Sequence, residues 1–144
     1  MFSFINDNVH YMILIVTILK CCYYLDSNNT VICIKMCIIA VTNIGLKKLA
    51  GDIIPKLTQN DFILNTVLYR PGTTKSGFPS GHCMVVFSII PLLFDVYQKY
   101  VTNLIMLYGI FIGYDRVMKR QHTYTQVILG AIVGLGMGVV LFRF

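Results

Sequence analysis

Runs of apolar side chains dominate this sequence, and five of them approach the length that crosses a bilayer: Val9 to Leu25, Thr30 to Leu49, His82 to Tyr97, Val101 to Val117 and His122 to Phe142. A spanning helix needs about 20 residues and tolerates about 17, so the first and fourth are short and the third is marginal. Tilt, snorkelling and local thinning accommodate such lengths. Backbone groups in lipid have no water to bond, which leaves only helices or a closed barrel, and no strand alternation competes here. The fold class expected is all-α: a polytopic bundle of about five transmembrane helices with an interfacial loop, built as a single membrane domain over residues 1–144. Composition agrees, because a chain that is 56% hydrophobic and 12% charged cannot hide its apolar surface in one small soluble core.

The segment from Gly51 to Ser80 breaks the pattern, with Asp52, Pro55, Lys56, Asp61, Arg70, Pro71, Gly72 and Lys75 among its apolar residues. It reads as an interfacial loop with a short amphipathic helix around Asp61 to Tyr69. Counting spans alternately puts this loop and the turn from Arg116 to His122 on one face of the membrane. The formal charge of +6 is concentrated in or beside the same two segments, at Lys47, Lys48, Lys56, Arg70, Lys75, Arg116, Lys119 and Arg120. Two readings of that clustering stand: flanking charge that follows the positive-inside rule, or a rim that attracts phosphate. The cysteines, Cys21, Cys22, Cys33, Cys37 and Cys83, show neither zinc-type nor redox spacing and read as small buried hydrophobes.

Three pieces carry chemistry. Pro79-Ser80-Gly81-His82 sits where loop becomes helix; free N–H groups and the positive end of the dipole bind anions there, and His82 is placed to donate a proton. Arg116 closes one span with a planar fork that matches phosphate oxygens, and His122 opens the next across a tight turn. Gln126, four residues after His122, shares its helix face; an amide carbonyl there can accept the Nδ1 proton and leave Nε2 outward as a nucleophile. Beyond it, Gly130, Gly134 and Gly138 form a stripe of the kind that lets helices approach closely in lipid.

The string Asp115-Arg116-Val117-Met118-Lys119-Arg120-Gln121-His122-Thr123-Tyr124-Thr125-Gln126, followed by an apolar helix containing glycine, resembles the third signature of the phosphatidic acid phosphatase type 2 superfamily, S-R-x-x-x-x-x-H-x-x-x-D. Pro79 to His82 matches its second, P-S-G-H. Thr74 to Ser80 and the glutamine at 126 look more specifically like the dolichyl diphosphate phosphatase branch. The first signature, K-x-x-x-x-x-x-R-P, has two competing registers. Lys47 to Pro55 keeps the lysine but has Ile54 where arginine belongs; Ile63 to Pro71 keeps Arg70 and loses the lysine. The first register is favoured by topology, with Arg70 folding back to supply the guanidinium.

What the resemblance implies is a metal-independent hydrolase with no cofactor, acting on an isoprenyl diphosphate or a phosphatidic-acid-like lipid through a phosphohistidine. His122 would attack phosphorus, His82 would protonate the leaving oxygen, Gln126 would orient His122, and Lys47, Arg70, Ser80, Gly81 and Arg116 would hold the phosphate. The partners expected are membrane lipid and the phosphorylated lipid substrate, not nucleic acid. The location expected is multi-pass in an endoplasmic-reticulum-type membrane. Oligomeric state and the side the site faces stay open. Two departures matter. Asp115 stands where the signature has serine and is expected to pair with Arg116 or Arg120, and Gln126 cannot neutralise an imidazolium. They support a second reading, a degenerate member that binds lipid phosphate without turnover; a structural membrane protein is the third.

Overall fold

The computed structural model describes residues 27–93 and 99–143. The first expected span, Val9 to Leu25, lies outside the described residues. Contacts divide the chain into two units, Met1–Ile38 and Ile39–Phe144, and the site described below lies within the second. Among the described residues every regular element is helical, and the one β-type pairing is an isolated bridge between Tyr69 and Ser76. Helix α1 is Ser27–Leu57; α2, Asp61–Ile63, runs straight into a π turn, Leu64–Leu68; α3 is Gly81–Leu93, α4 is Lys99–Met118 and α5 is Tyr124–Arg143.

One boundary differs from expectation. The apolar run ends at Leu49, yet α1 continues about two turns further, through Gly51 and Pro55. Proline lacks an N–H and costs the helix one bond, but in a last turn little is left to disrupt. Thr58 N–H closes that turn on Ile54 O at 3.1 Å, and Lys56 lies where the dipole favours a cation. The short helix expected around Asp61 to Tyr69 is α2 with its π turn, capped by Asn60 Oδ1, which accepts from Phe62 N–H at 2.9 Å and Ile63 N–H at 3.3 Å.

Among the described residues two helices are long and apolar enough to cross a membrane, α1 over Thr30–Leu57 and α5 over Tyr124–Leu141; Gly81–Pro91 of α3 is a shorter apolar helix. Exposure points the same way. Val41, Ile44 and Leu49 on α1, Leu107, Ile110 and Phe111 on α4, and Ile128, Ile132 and Val140 on α5 are exposed, whereas Ser80, Ser88, Thr102, Arg116, His122 and Gln126 are buried. Water would invert that arrangement, and hydrocarbon accounts for it. Together these features are those of a membrane protein. Cys83 is buried as expected, but Cys37 is exposed on α1.

The contact that positions the site is between α3 and α5. A methyl group on Gly130 would stand 2.7 Å from Ser80 O, and one on Gly134 or Gly138 would collide with the carbonyls of Met84 or Ser88. Positions four apart on one helix thus meet positions four apart on the other, main chain against main chain. Lipid supplies no hydrophobic force between helices, so close approach and dispersion must hold this seam. Helix α4 joins through side chains instead: Cys83 and Val86 pack on Ile112, with Phe87, Ile105, Tyr108 and Val127 around them.

The segment between α2 and α3 is a small hairpin. Gly72 takes φ +70° in an Arg70-Pro71-Gly72-Thr73 turn closed by Thr73 N–H on Arg70 O at 3.0 Å, a conformation that glycine adopts at no steric cost. Arg70 N–H donates to Lys75 O at 3.0 Å and Gly77 N–H to Leu68 O at 2.7 Å, which fixes where Arg70 points.

Candidate active site

Helix α4 ends in a Schellman arrangement: Arg120 N–H donates to Val117 O at 2.9 Å and Gln121 N–H to Arg116 O at 3.0 Å, with Arg120 at φ 54°. His122 N–H also donates to Arg116 O, at 3.3 Å. The reversal is therefore tied to Arg116 main chain, and it delivers His122 beside the residue that closed the previous helix. Helix α5 then begins with a reciprocal cap. Gln126 N–H donates to Thr123 Oγ1 at 3.2 Å, and Thr123 N–H donates to Gln126 Oε1 at 3.2 Å.

That cap settles the state of the histidine. Gln126 Nε2 donates to Tyr69 O at 2.7 Å while its Oε1 accepts a backbone N–H, so the amide has only one orientation that satisfies both main-chain partners. His122 Nδ1 lies 3.1 Å from the same Oε1 and must therefore carry the proton. Nε2 is left with its lone pair. The π turn contributes from the other side: Tyr69 N–H reaches back to Leu64 O at 2.7 Å, Tyr69 O takes the Gln126 amide, and Thr66 O takes the Thr123 hydroxyl. Gly77 closes over this network, since a methyl there would lie 2.6 Å from Gln126 Oε1 and 2.9 Å from Arg70 Cγ.

The charges of three cations act on the ring. His122 is 3% exposed, and its pKa is pushed down from the ordinary 6.5 to about 4; burial contributes most, and the charges of Arg70, Lys47 and Arg116 add to it, against the hydrogen bond with Gln126, which pulls the other way. The imidazole is neutral throughout the physiological range. Lys47 arrives from α1, where its Nζ would lie 3.0 Å from a methyl on Gly81, and Asn43, one turn earlier, approaches the same glycine, its Nδ2 2.6 Å from where that methyl would stand. Arg116 is buried and donates from Nη1 to Gln121 Oε1 at 2.6 Å.

The sequence-identified residues thus fall into place unevenly. Lys47, Arg70, Arg116 and Gln126 are drawn around His122. Ser80 is fully buried and joins them through main chain, its N–H donating to Gln126 O at 3.2 Å and its carbonyl taking Met84 N–H at 2.9 Å. Gly81 opens α3 against Lys47, and His82 follows in that first turn, half-buried. Of the two partners expected for Asp115, Arg116 is one, its Nε 3.9 Å from the carboxylate; Lys119, at 3.0 Å, is a second and closer partner, and Arg120 serves as the left-handed residue of the turn. An aspartate and a lysine four apart on one helix face were the signal for that pair.

Residues that sequence reasoning passed over include Gln121, Thr123, Gly77 and Asn43. Thr123 was visible in principle, because Thr-x-x-Gln before an apolar helix is a capping-box pattern. Gly77 and Asn43 act through tertiary approach and leave no local trace. Among the described residues no cluster of three or more His, Cys, Asp or Glu side chains could hold a metal ion.

Comparison with known proteins gives one family: the model of the PAP2 superfamily matches residues 29–144. No curated protein and no solved structure matches the chain.

Proposed function

The chain belongs to the PAP2 superfamily, whose members are phosphatases, and from that premise we propose that it is an integral membrane hydrolase of lipid phosphates or diphosphates that works through a phosphohistidine. The observation that carries the reading is His122, neutral, fixed in one tautomer by Gln126 and under the charges of Lys47, Arg70 and Arg116. A neutral imidazole with a free Nε2 is a nucleophile, and three cations about it are suited to a phosphoryl group.

In the proposed reaction the Nε2 lone pair attacks phosphorus, the bond from phosphorus to the leaving oxygen breaks, and His82 gives that oxygen a proton. Water then attacks the phosphohistidine, the nitrogen–phosphorus bond breaks and returns its electron pair to Nε2, and the water proton passes to His82. Lys47, Arg70, Arg116, the Ser80 hydroxyl and the N–H of Gly81 that opens α3 stabilise the charge on the remaining oxygens; donors preorganised in this way typically contribute about 10²–10³ each in rate. The apolar exterior favours a lipid as the rest of the substrate, with isoprenyl diphosphate and phosphatidic acid as the two classes to compare. A bundle of about five spans in an endoplasmic-reticulum-type membrane, and a place in the dolichyl diphosphate phosphatase branch, belong to the same proposal.

The test is phosphate release by the purified protein in detergent from those two lipids, beside His122→Ala. Loss of at least about 10³-fold, with an acid-labile phosphoprotein trapped only when His122 is present, is the expected result. Release that survives the substitution overturns it. A second reading, lipid-phosphate binding without turnover, is favoured by Asp115 standing 3.9 Å from Arg116; it predicts binding with no release even in the unaltered protein.

A further inference from the structure

Asn43 is a polar residue that the apolar run of α1 does not explain. It lies inside Thr30 to Leu49, four residues before Lys47 and so on the same helix face. Val41 and Ile44 beside it are exposed, whereas Met36, Ile39 and Ala50 are buried, which puts Asn43 on the inward stripe of a helix with an apolar outer surface. An asparagine in such a place ordinarily bonds across to another helix. Here the carbonyl does not: Asn43 Oδ1 is buried and has no hydrogen-bond partner. An acceptor withdrawn from water and left unpaired costs stability that an apolar side chain would not.

The position of the amide says what could complete it. Asn43 Oδ1, Asn43 Nδ2 and Lys47 Nζ lie 3.3, 2.6 and 3.0 Å from one point, where a methyl on Gly81 would stand. Gly81 opens α3, and His82 follows it. The amide thus adjoins a cation assigned to phosphate and the turn that carries the residue assigned to the leaving oxygen. Its base also lies about 6 Å further into the apolar run than that of Lys47. A lipid whose phosphate rests on Lys47 must send its chain into the bilayer past Asn43.

Resting on the phosphatase reading of this site, we infer that Asn43 is a specificity-determining residue that binds a hydroxyl on the leaving group. The preferred substrate is then a lipid phosphate with a free hydroxyl on the carbon next to the one that bears the phosphate, as in a lysophosphatidate. A hydroxyl supplies the donor that Oδ1 lacks. An acylated oxygen at that carbon has no proton to give, and a plain alkyl chain has no polar atom at all. A site built to bond a substrate hydroxyl discriminates against the analogue without it, because its own polar atom is then left unpaired.

The test removes the hydroxyl from the lipid and the amide from the protein in turn. Phosphate release by the purified full chain in detergent micelles is measured on oleoyl lysophosphatidate and on the analogue that lacks only the hydroxyl. The unaltered protein should favour the first about tenfold in kcat/KM. Asn43→Leu should bring the ratio close to one by slowing the reaction of the first lipid alone, a change that a merely structural role would not produce. Its thermal unfolding in detergent should come at the same or a higher temperature, since an unpaired buried polar group has gone. The inference is overturned, and the phosphatase reading left standing, by a ratio that Asn43→Leu does not move, by no preference in the unaltered protein, by a marked loss of thermal stability in Asn43→Leu, or by release from isoprenyl diphosphate alone. No release from any of these lipids overturns the phosphatase reading, and equilibrium binding of the two matched lipids then decides on Asn43. Tighter binding of the hydroxyl-bearing lipid that Asn43→Leu abolishes keeps the assignment; equal binding overturns it as well.

Discussion

The two sides of the site are built in different ways. On one side, α3 and α5 meet main chain to main chain along Gly130, Gly134 and Gly138, and Ser80, Gln126 and His122 are placed by that seam and by caps. On the other, Lys47 and Arg70 come in on long side chains, one from α1 and one from a hairpin held by a single bridge and a Pro-Gly turn. The first side tolerates almost no displacement, because peptide groups in contact cannot be re-aimed. The second tolerates a rearranged segment, because a side chain of several bonds can reach the same point from a different base. The motifs follow this division: the second and third signatures are intact apart from Asp115 and Gln126, and the first is split between two registers.

The largest expected effect tests the rigid side. Gly134→Ala puts a methyl into Met84 main chain, and should destabilise the fold by about 3 kcal/mol and lower activity with it, whereas Gly136→Ala, where nothing lies within 4 Å, should be neutral or slightly stabilising. Denaturation of the purified variants in detergent compares them; equal behaviour would show that the seam is not what holds α5.

Next comes the adaptable side. Arg70→Gln should lower kcat/KM at pH 7 by about 10²-fold and also change the acid limb. The imidazole must be unprotonated to attack, so activity falls as pH drops through the His122 pKa of about 4. Burial keeps most of that depression, but losing the Arg70 charge lets the value rise toward 6.5, and the limb must move to higher pH. Arg70→Lys keeps the charge and should leave the limb in place while KM rises. A limb unmoved by Arg70→Gln would mean that the hairpin does not bring its cation to His122.

The smallest effect sharpens the boundary between the two. Arg120 holds φ 54° with a side chain that resists it, so Arg120→Gly should stabilise the protein by about 0.5 kcal/mol without altering kcat/KM. A changed rate would mean that the turn, and not α5 alone, sets the position of His122.

How much of this could be read in the sequence depends on how local the cause is. The apolar runs of α3, α4 and α5, the glycine stripe and the His122–Gln126 pairing all follow from helical spacing, and each was legible. The end of α1 was not, because Gly51 and Pro55 carry breaker signals that a last turn can absorb. Arg120 in the left-handed region was hidden by its identity, since glycine is the usual residue there. The π turn owes its shape to bonds from Thr123 and Gln126, far away in the chain. Arg70 was legible as half of a motif, but its return to His122 depends on that turn and on the Pro-Gly hairpin.

At Gly134 the three nearest atoms that an added methyl would meet are the O, C and Cα of Met84. These atoms are the same whatever amino acid occupies position 84. A genetic screen could therefore look for suppressors of Gly134→Ala at Met84 in vain: no replacement there can shrink a peptide unit, and relief would have to come from a shift of the whole helix.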